Sequence, residues 1–242
     1  MLTNNNFYTT ETESRVDADV VRRFMTSVFT WMFLALAVTA VTAYFFAADL
    51  SLLSLLIDTQ TGKNTILGWI VMFAPFGFVM LIYGGIQRFS FGTLSLLFMV
   101  FSILMGMSMS FILLIYTAQS IFMTFVVTSV TFGVMAVAGY TTKTDLTKFG
   151  SIMMMGLVGI IIASIVNFFM RSVAFDYIIS FIGVLVFTGL TAYDVQKLKR
   201  IASGQHYGQM PMTKLIILGA LNLYLDFINL FLFLLRFLGN RK

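Results

Sequence analysis

The sequence predicts an all-α polytopic membrane protein with seven transmembrane helices, and three observations predict it. Hydrophobic residues make up 59% of the 242-residue chain. Charged residues make up only 10%, where a soluble domain carries about 25%, so the chain cannot clothe a globule in polar surface. Its apolar residues also gather into seven runs, each near the roughly 20 residues that cross a hydrocarbon core. Soluble enzymes, nucleic-acid binders and disordered tails are excluded on these grounds.

The runs occupy residues 24–48, 65–85, 91–116, 120–140, 149–170, 177–198 and 215–238. Pro75 predicts a kink in the second run, because its ring offers no N–H and crowds the preceding turn. The links are short, so successive helices are expected to run antiparallel. An alternative count has six spans and a re-entrant last segment. Residues 1–23 form a polar segment expected in the cytoplasm, followed by a single seven-helix domain over 24–242. That head is polar throughout, which is not the pattern of a cleavable signal.

With the N-terminus inside, ten of the 15 Lys and Arg fall on the inner side. The outer side then holds Lys63, Arg171, Arg236, Arg241 and Lys242. This bias favours a cytoplasmic N-terminus and an outer C-terminus. It also accounts for the net charge of +5 without a nucleic-acid partner. With no cysteine and one histidine, His206 in a loop, the chain has no disulfide, no Cys nucleophile and no multi-His metal site; His206 receives no role. The 17 methionines and 27 phenylalanines read as lipid-facing or packing side chains. Gly106 with Ser110, and Gly156 with Gly159 and Ala163, are spaced for close helix approach.

Of the acidic residues, most lie in the head, in loops or at helix ends; Asp194 and Asp226 do not. Asp226, in LGALNLYLDFINLFLFLL, lies deep in the seventh run. A lone carboxylate facing lipid there costs at least about 2.5 kcal/mol, so it must turn inward and find a partner. Gly219, Asn222, Asp226 and Asn229 share one helix face and form a polar stripe. Asp226 reads either as a protonated hydrogen-bonding link between helices or as a stop on an ion or proton path. Asp194, in FTGLTAYDVQKLKR, precedes Lys197, Lys199 and Arg200 and is expected about one turn from the inner water. It reads either as half of a helix-end salt bridge or as the partner of Asp226. Two carboxylates sharing a site titrate as a unit, and their oxygens are hard ligands suited to Ca²⁺. Together they would sense protons and transiently hold Ca²⁺ without a histidine. Arg88, in IYGGIQRFS, is either a positive-inside anchor or a latch that pairs with the carboxylates and closes a pore.

FTGLTAYDVQKLKR followed by LYLDFINLFLFLLRF resembles the last two helices of the Bax inhibitor-1 family, also called the transmembrane Bax inhibitor motif family. FGVMAVAGYTTKTDLTKFGSIMMMGLVGIIIASIVNFF resembles its fourth and fifth helices. The likeness covers most of the chain after Arg22 and suggests a bacterial member. It implies seven helices, the last of them central and surrounded by the other six. It implies a pH-sensitive Ca²⁺ leak in the inner (plasma) membrane, not an enzyme, with no cofactor beyond Ca²⁺ as the permeant ion. The family's paired aspartates fall on Asp194 and Asp226 and its arginine latch on Arg88. Bacterial relatives are also linked to a membrane-bound ATP-dependent protease. A second implied role is therefore an interaction protein that modulates such a protease, with residues 1–15 as the handle.

Two further classes are disfavoured. An aspartyl intramembrane protease also sets aspartates on consecutive helices, but Asp226 follows Leu-Tyr-Leu rather than the Gly-x-Gly such a site needs. A retinal-type receptor needs a mid-membrane lysine in its seventh helix, and Lys214 lies at the mouth. The direction of gating stays open. Ionised carboxylates favour cation entry, whereas their neutralisation both removes that attraction and releases an arginine latch.

Overall fold

Between Asn5 and Ala48 the chain has neither glycine nor proline, and it forms one unbroken helix, α1 (Asn5–Ala48). The helix passes from the polar head into the first span without a break, and its apolar part is Ala18–Ala48. The structure is a computed structural model that describes residues 5–58, 61–204 and 210–242, with side chains from Ala18 onward. His206 and the side chains of the N-terminal handle lie outside the described residues.

Seven described helices are long and apolar enough to cross a membrane. After α1 they are α3 (Ile66–Gly85), α4 (Phe91–Ile115), α5 (Ala118–Thr141), α6 (Thr147–Met170), α7 (Val173–Ala202) and α8 (Met212–Leu238). A short α2 (Leu50–Leu56), which the sequence reading did not expect, lies between α1 and α3. Asp49 caps it by accepting from the Ser51 N–H at 2.7 Å. Thr65 then fastens α2 to α3. Its hydroxyl donates to the Leu55 carbonyl at 2.6 Å and accepts from the Gly68 N–H at 3.0 Å. Pro75 is accommodated inside α3, which continues to Gly85. The last segment, 27 residues long, is a full-length helix rather than a re-entrant one.

Helix α8 is the most enclosed. Of its most apolar stretch 61% is buried, against 6% for α6. It packs against α1, α4, α5 and α7, whereas the broad contacts of α6 are with α7 and those of α3 are with α2 and α4. The core follows from this arrangement. Leu221, Leu223, Tyr224 and Leu230 of α8 share one buried cluster with Val28, Met32 and Ala35 of α1 and Phe98 and Phe101 of α4.

Close helix approach rests on a few glycines. A Cβ at Gly106 would come within 2.6 Å of the Thr39 carbonyl, so glycine there brings α4 onto α1. A Cβ at Gly139 would run into the Ala192 carbonyl, which sets the α5–α7 spacing. In the expected Gly156 and Gly159 motif only Gly156 faces a helix, its Cβ position lying 2.9 Å from Val186; Gly159 faces open space.

The end of α7 is fastened to the α5–α6 loop. Gln196, nearly buried, donates to the Thr144 carbonyl at 2.7 Å and accepts from the Leu146 N–H at 2.9 Å. Lys199 donates to the Tyr140 carbonyl at 2.7 Å. Arg200 pairs with Asp145 at 2.8 Å. Hydrogen bonds from the Thr147 hydroxyl and N–H, and then Arg200, hold the Asp145 carboxyl well below the usual carboxylate range. A lowered carboxylate pKa contributes stability above its unfolded value, near 4, and loses it only as pH falls below that. The clamp therefore does not titrate between pH 5 and 8.

Gly139→Ala should destabilise the protein by about 1–3 kcal/mol through overpacking, read as a lower melting temperature in detergent. Gly133→Ala, which meets no neighbour within 4 Å on the same helix, should not. A Gly139→Ala protein as stable as the parent would contradict the close α5–α7 seam. Gln196→Leu strands two backbone groups at about 1–3 kcal/mol and should raise hydrogen exchange at Leu146 equally at pH 6 and pH 8, after correction for the intrinsic rate.

Candidate functional site

Asp226 sits near the middle of α8, and only 5% of its surface is exposed. The expected cost of a lipid-facing carboxylate is avoided because this face of α8 turns toward α7. Asp194 is half-buried on α7, and the two carboxyl groups are within hydrogen-bonding reach of each other. The juxtaposition expected from the sequence is thus present.

Helix α7 continues to Ala202, past the expected ending near residue 198. Among the described residues no salt bridge reaches it. Lys197 on the next turn contributes its charge at longer range and lies 5.9 Å over the Tyr193 ring. The helix-end salt bridge belongs instead to Arg200 and Asp145.

Two carboxyls facing each other present only acceptors. Oδ2 of Asp226 is enclosed and takes no hydrogen bond from the described residues. Buried polar atoms are nearly always satisfied, and the group set against this carboxyl is the carboxyl of Asp194. The pair supplies at most four oxygens, while Ca²⁺ takes about 6–8. No cluster of three or more metal-ligating acids, histidines or cysteines exists among the described residues.

The polar stripe on α8 splits among several helices. Asn222 accepts a hydrogen bond from the Tyr83 hydroxyl of α3. Gly219 lets Leu198 of α7 and Val28 of α1 come close. Asn229 bonds its own helix, donating to the Leu225 carbonyl at 2.8 Å.

Arg88 lies exposed in the turn after α3, and among the described residues no ion pair joins it to Asp194 or Asp226. The turn itself is tied to the start of α8. Lys214 donates to the carbonyls of Ile86 at 2.9 Å and Gln87 at 3.2 Å.

Sequence reasoning missed a lock on the other side of α8. Thr39 gives its hydroxyl proton to the Ser102 carbonyl at 3.0 Å, so the Tyr224 hydroxyl, 2.7 Å away, donates to Thr39. The Tyr224 ring is fully buried between Phe98 and Phe101, with centroids at 6.0 and 5.4 Å. This joins α8, α1 and α4 about half a turn before Asp226, on the other side of α8. The only hint in the sequence was the tyrosine two residues before that aspartate.

Known proteins resemble this chain over most of its length. Residues 21–242 match a family model described as "Inhibitor of apoptosis-promoting Bax1". Inner membrane protein YbhL of Escherichia coli K12 is 44% identical over 223 residues, covering 92% of this chain and 93% of that protein. RP147 of Rickettsia prowazekii is 44% identical over 237 residues, covering 97% and 96%. A Borreliella burgdorferi protein is 41% identical over 231 residues, covering 96% and 97%. With matches that run nearly from end to end, a bundle of seven membrane-length helices and an acid on each of the last two, this chain belongs to the Bax inhibitor-1 family.

Proposed function

We propose that the protein is a pH-sensitive Ca²⁺ leak gated by the Asp194–Asp226 pair. The observation that supports this most is the enclosed Oδ2 of Asp226, set against a second carboxyl with no donor between them. A proton shared by the two acids would satisfy that oxygen and close the bundle around it. When both acids ionise, their charge attracts a divalent cation, which becomes the alternative way to satisfy the same oxygens. Ca²⁺ is cargo in this account. No cofactor takes part and no bond is made or broken, so the protein is not an enzyme.

Arg88 serves as the latch. Its turn is held to α8 by Lys214, so a movement of the α3–α4 turn would bring a guanidinium toward the acids. Its pairing opposes cation entry while both carboxylates are charged. The E. coli relative is described as an inner membrane protein, and we extend that location to this chain. The excess of Lys and Arg in the inner loops orients it with the N-terminus in the cytoplasm.

Ca²⁺ flux into liposomes, measured between pH 6 and pH 8, tests the proposal. The parent should show a pH-dependent flux, and Asp194→Asn, Asp226→Asn and the double variant should flatten it. Asp145→Asn, at the non-titrating clamp, should keep the response. Unchanged flux and unchanged pH response in all three pair variants would overturn the assignment.

A further inference from the structure

Away from the acid pair, three of the expected outer-side arginines meet at one cavity. Its volume is about 490 Å³, and it lies where the end of α6, the start of α7 and the end of α8 converge. Arg171, Arg236 and Arg241 line it, with Asp176 as its one acidic residue. Arg236 is engaged, meeting Asp176 at 3.2 Å. That pair neutralises itself and leaves Arg171 and Arg241 as the net charge of the cavity.

Both remaining guanidiniums stand on fixed backbone. Arg171 closes α6 in the left-handed region, at φ 52°, where glycine is the usual and cheaper residue. Its N–H donates to the Asn167 carbonyl at 2.7 Å, and the next N–H, of Ser172, donates to the Asn167 side chain at 3.1 Å. Arg241 is held on the α4–α5 turn. Thr117 N–H donates to the Asn240 carbonyl at 3.1 Å, Lys242 N–H to the Ile115 carbonyl at 2.9 Å, and Asn240 N–H to the Ser120 hydroxyl at 2.9 Å. Its guanidinium lies 5.8 Å over the Tyr116 ring. Among the described residues no carboxylate pairs with Arg171 or Arg241.

The chain on either side of Arg171 is apolar and exposed. Val173 lines it and is 72% exposed. Phe168, Phe169 and Met170, directly before Arg171, are 75%, 78% and 63% exposed. A cationic, head-sized cavity bordered by bare hydrocarbon-seeking side chains suits a molecule with an anionic head and acyl tails. Guanidinium forks match phosphate oxygens, and basic pockets between membrane helices are a common seat for lipid headgroups.

We propose that this cavity binds the phosphodiester headgroup of an anionic phospholipid, with Arg171 and Arg241 as its phosphate ligands and the acyl chains lying along the end of α6. The site is independent of the acid pair and of ion flux.

The test is a melting-temperature titration of the full chain in a neutral detergent. The probes are short-chain phosphatidylglycerol, short-chain phosphatidylcholine and sodium phosphate. Phosphatidylglycerol should stabilise the parent more than either of the others. Arg171→Gly suits the left-handed backbone and so keeps the fold, yet it should weaken the phosphatidylglycerol midpoint about fivefold. Arg241→Gln should do the same, with the melting temperature in phosphatidylcholine preserved for Arg171→Gly. Equal stabilisation by the two lipids, full reproduction of the effect by sodium phosphate, or a parental midpoint in Arg171→Gly would each overturn the proposal.

Discussion

A carboxyl group halfway along a membrane-crossing helix must be met by another polar group, and that requirement organises the end of this chain. Asp226 cannot face lipid without a cost of several kcal/mol, so α8 is rotated with that face toward α7, where Asp194 waits. Once α8 faces inward, the helices around it follow. α1, α4, α5 and α7 pack on it, and it becomes the most enclosed of the spans. The partner is a second acid, not a lysine or arginine.

In lipid the hydrophobic effect does little to choose between neighbours, because the tails are as apolar as the side chains. Backbone proximity and hydrogen bonds decide instead, and both are visible here. Gly106 and Gly139 bring α4 onto α1 and α5 onto α7. The Tyr224–Thr39–Ser102 lock then fixes α8 against α1 and α4 with a continuous run of donors. Gln196 does the same for α7 and the α5–α6 loop, using one side-chain amide to satisfy a carbonyl and an N–H that the loop leaves open.

The number of spans was legible because length and hydropathy carry it. The runs expected at residues 91–116 and 149–170 meet helices Phe91–Ile115 and Thr147–Met170. Asp226 stood out because its cost in lipid is large whatever the fold. The rest was hidden for physical reasons. Helix α2 is seven residues long, too short to show a period, and is held by the caps at Asp49 and Thr65. A membrane helix is apolar all round, so its sequence does not say which face meets protein. Gly139 and Gly133 look alike on paper, yet one seats a neighbouring backbone and the other seats nothing. Tyr224 reads as one more aromatic until its hydroxyl is seen to reach Thr39. The basic run after Asp194 was misleading because α7 extends past it and spends Lys199 and Arg200 on the α5–α6 loop.

These attachments restrict what a change at the acid pair can move. α7 is held at its far end by Gln196, Lys199 and Arg200, and at its beginning to α8 through Asp176 and Arg236. The segment after α8 is pinned to the α4–α5 turn through Asn240 and Lys242. Sliding α7 along α8 would break all of these at once, including bonds that do not titrate above pH 5. Helix α3 is attached to α8 at other points. Among the described residues its named hydrogen bonds to α8 are Tyr83 to Asn222 and, from the turn that follows it, Lys214 to Ile86 and Gln87. A shift of α8 at the acid pair would therefore reach α3 through Asn222, one turn before Asp226, and the Arg88 turn through Lys214.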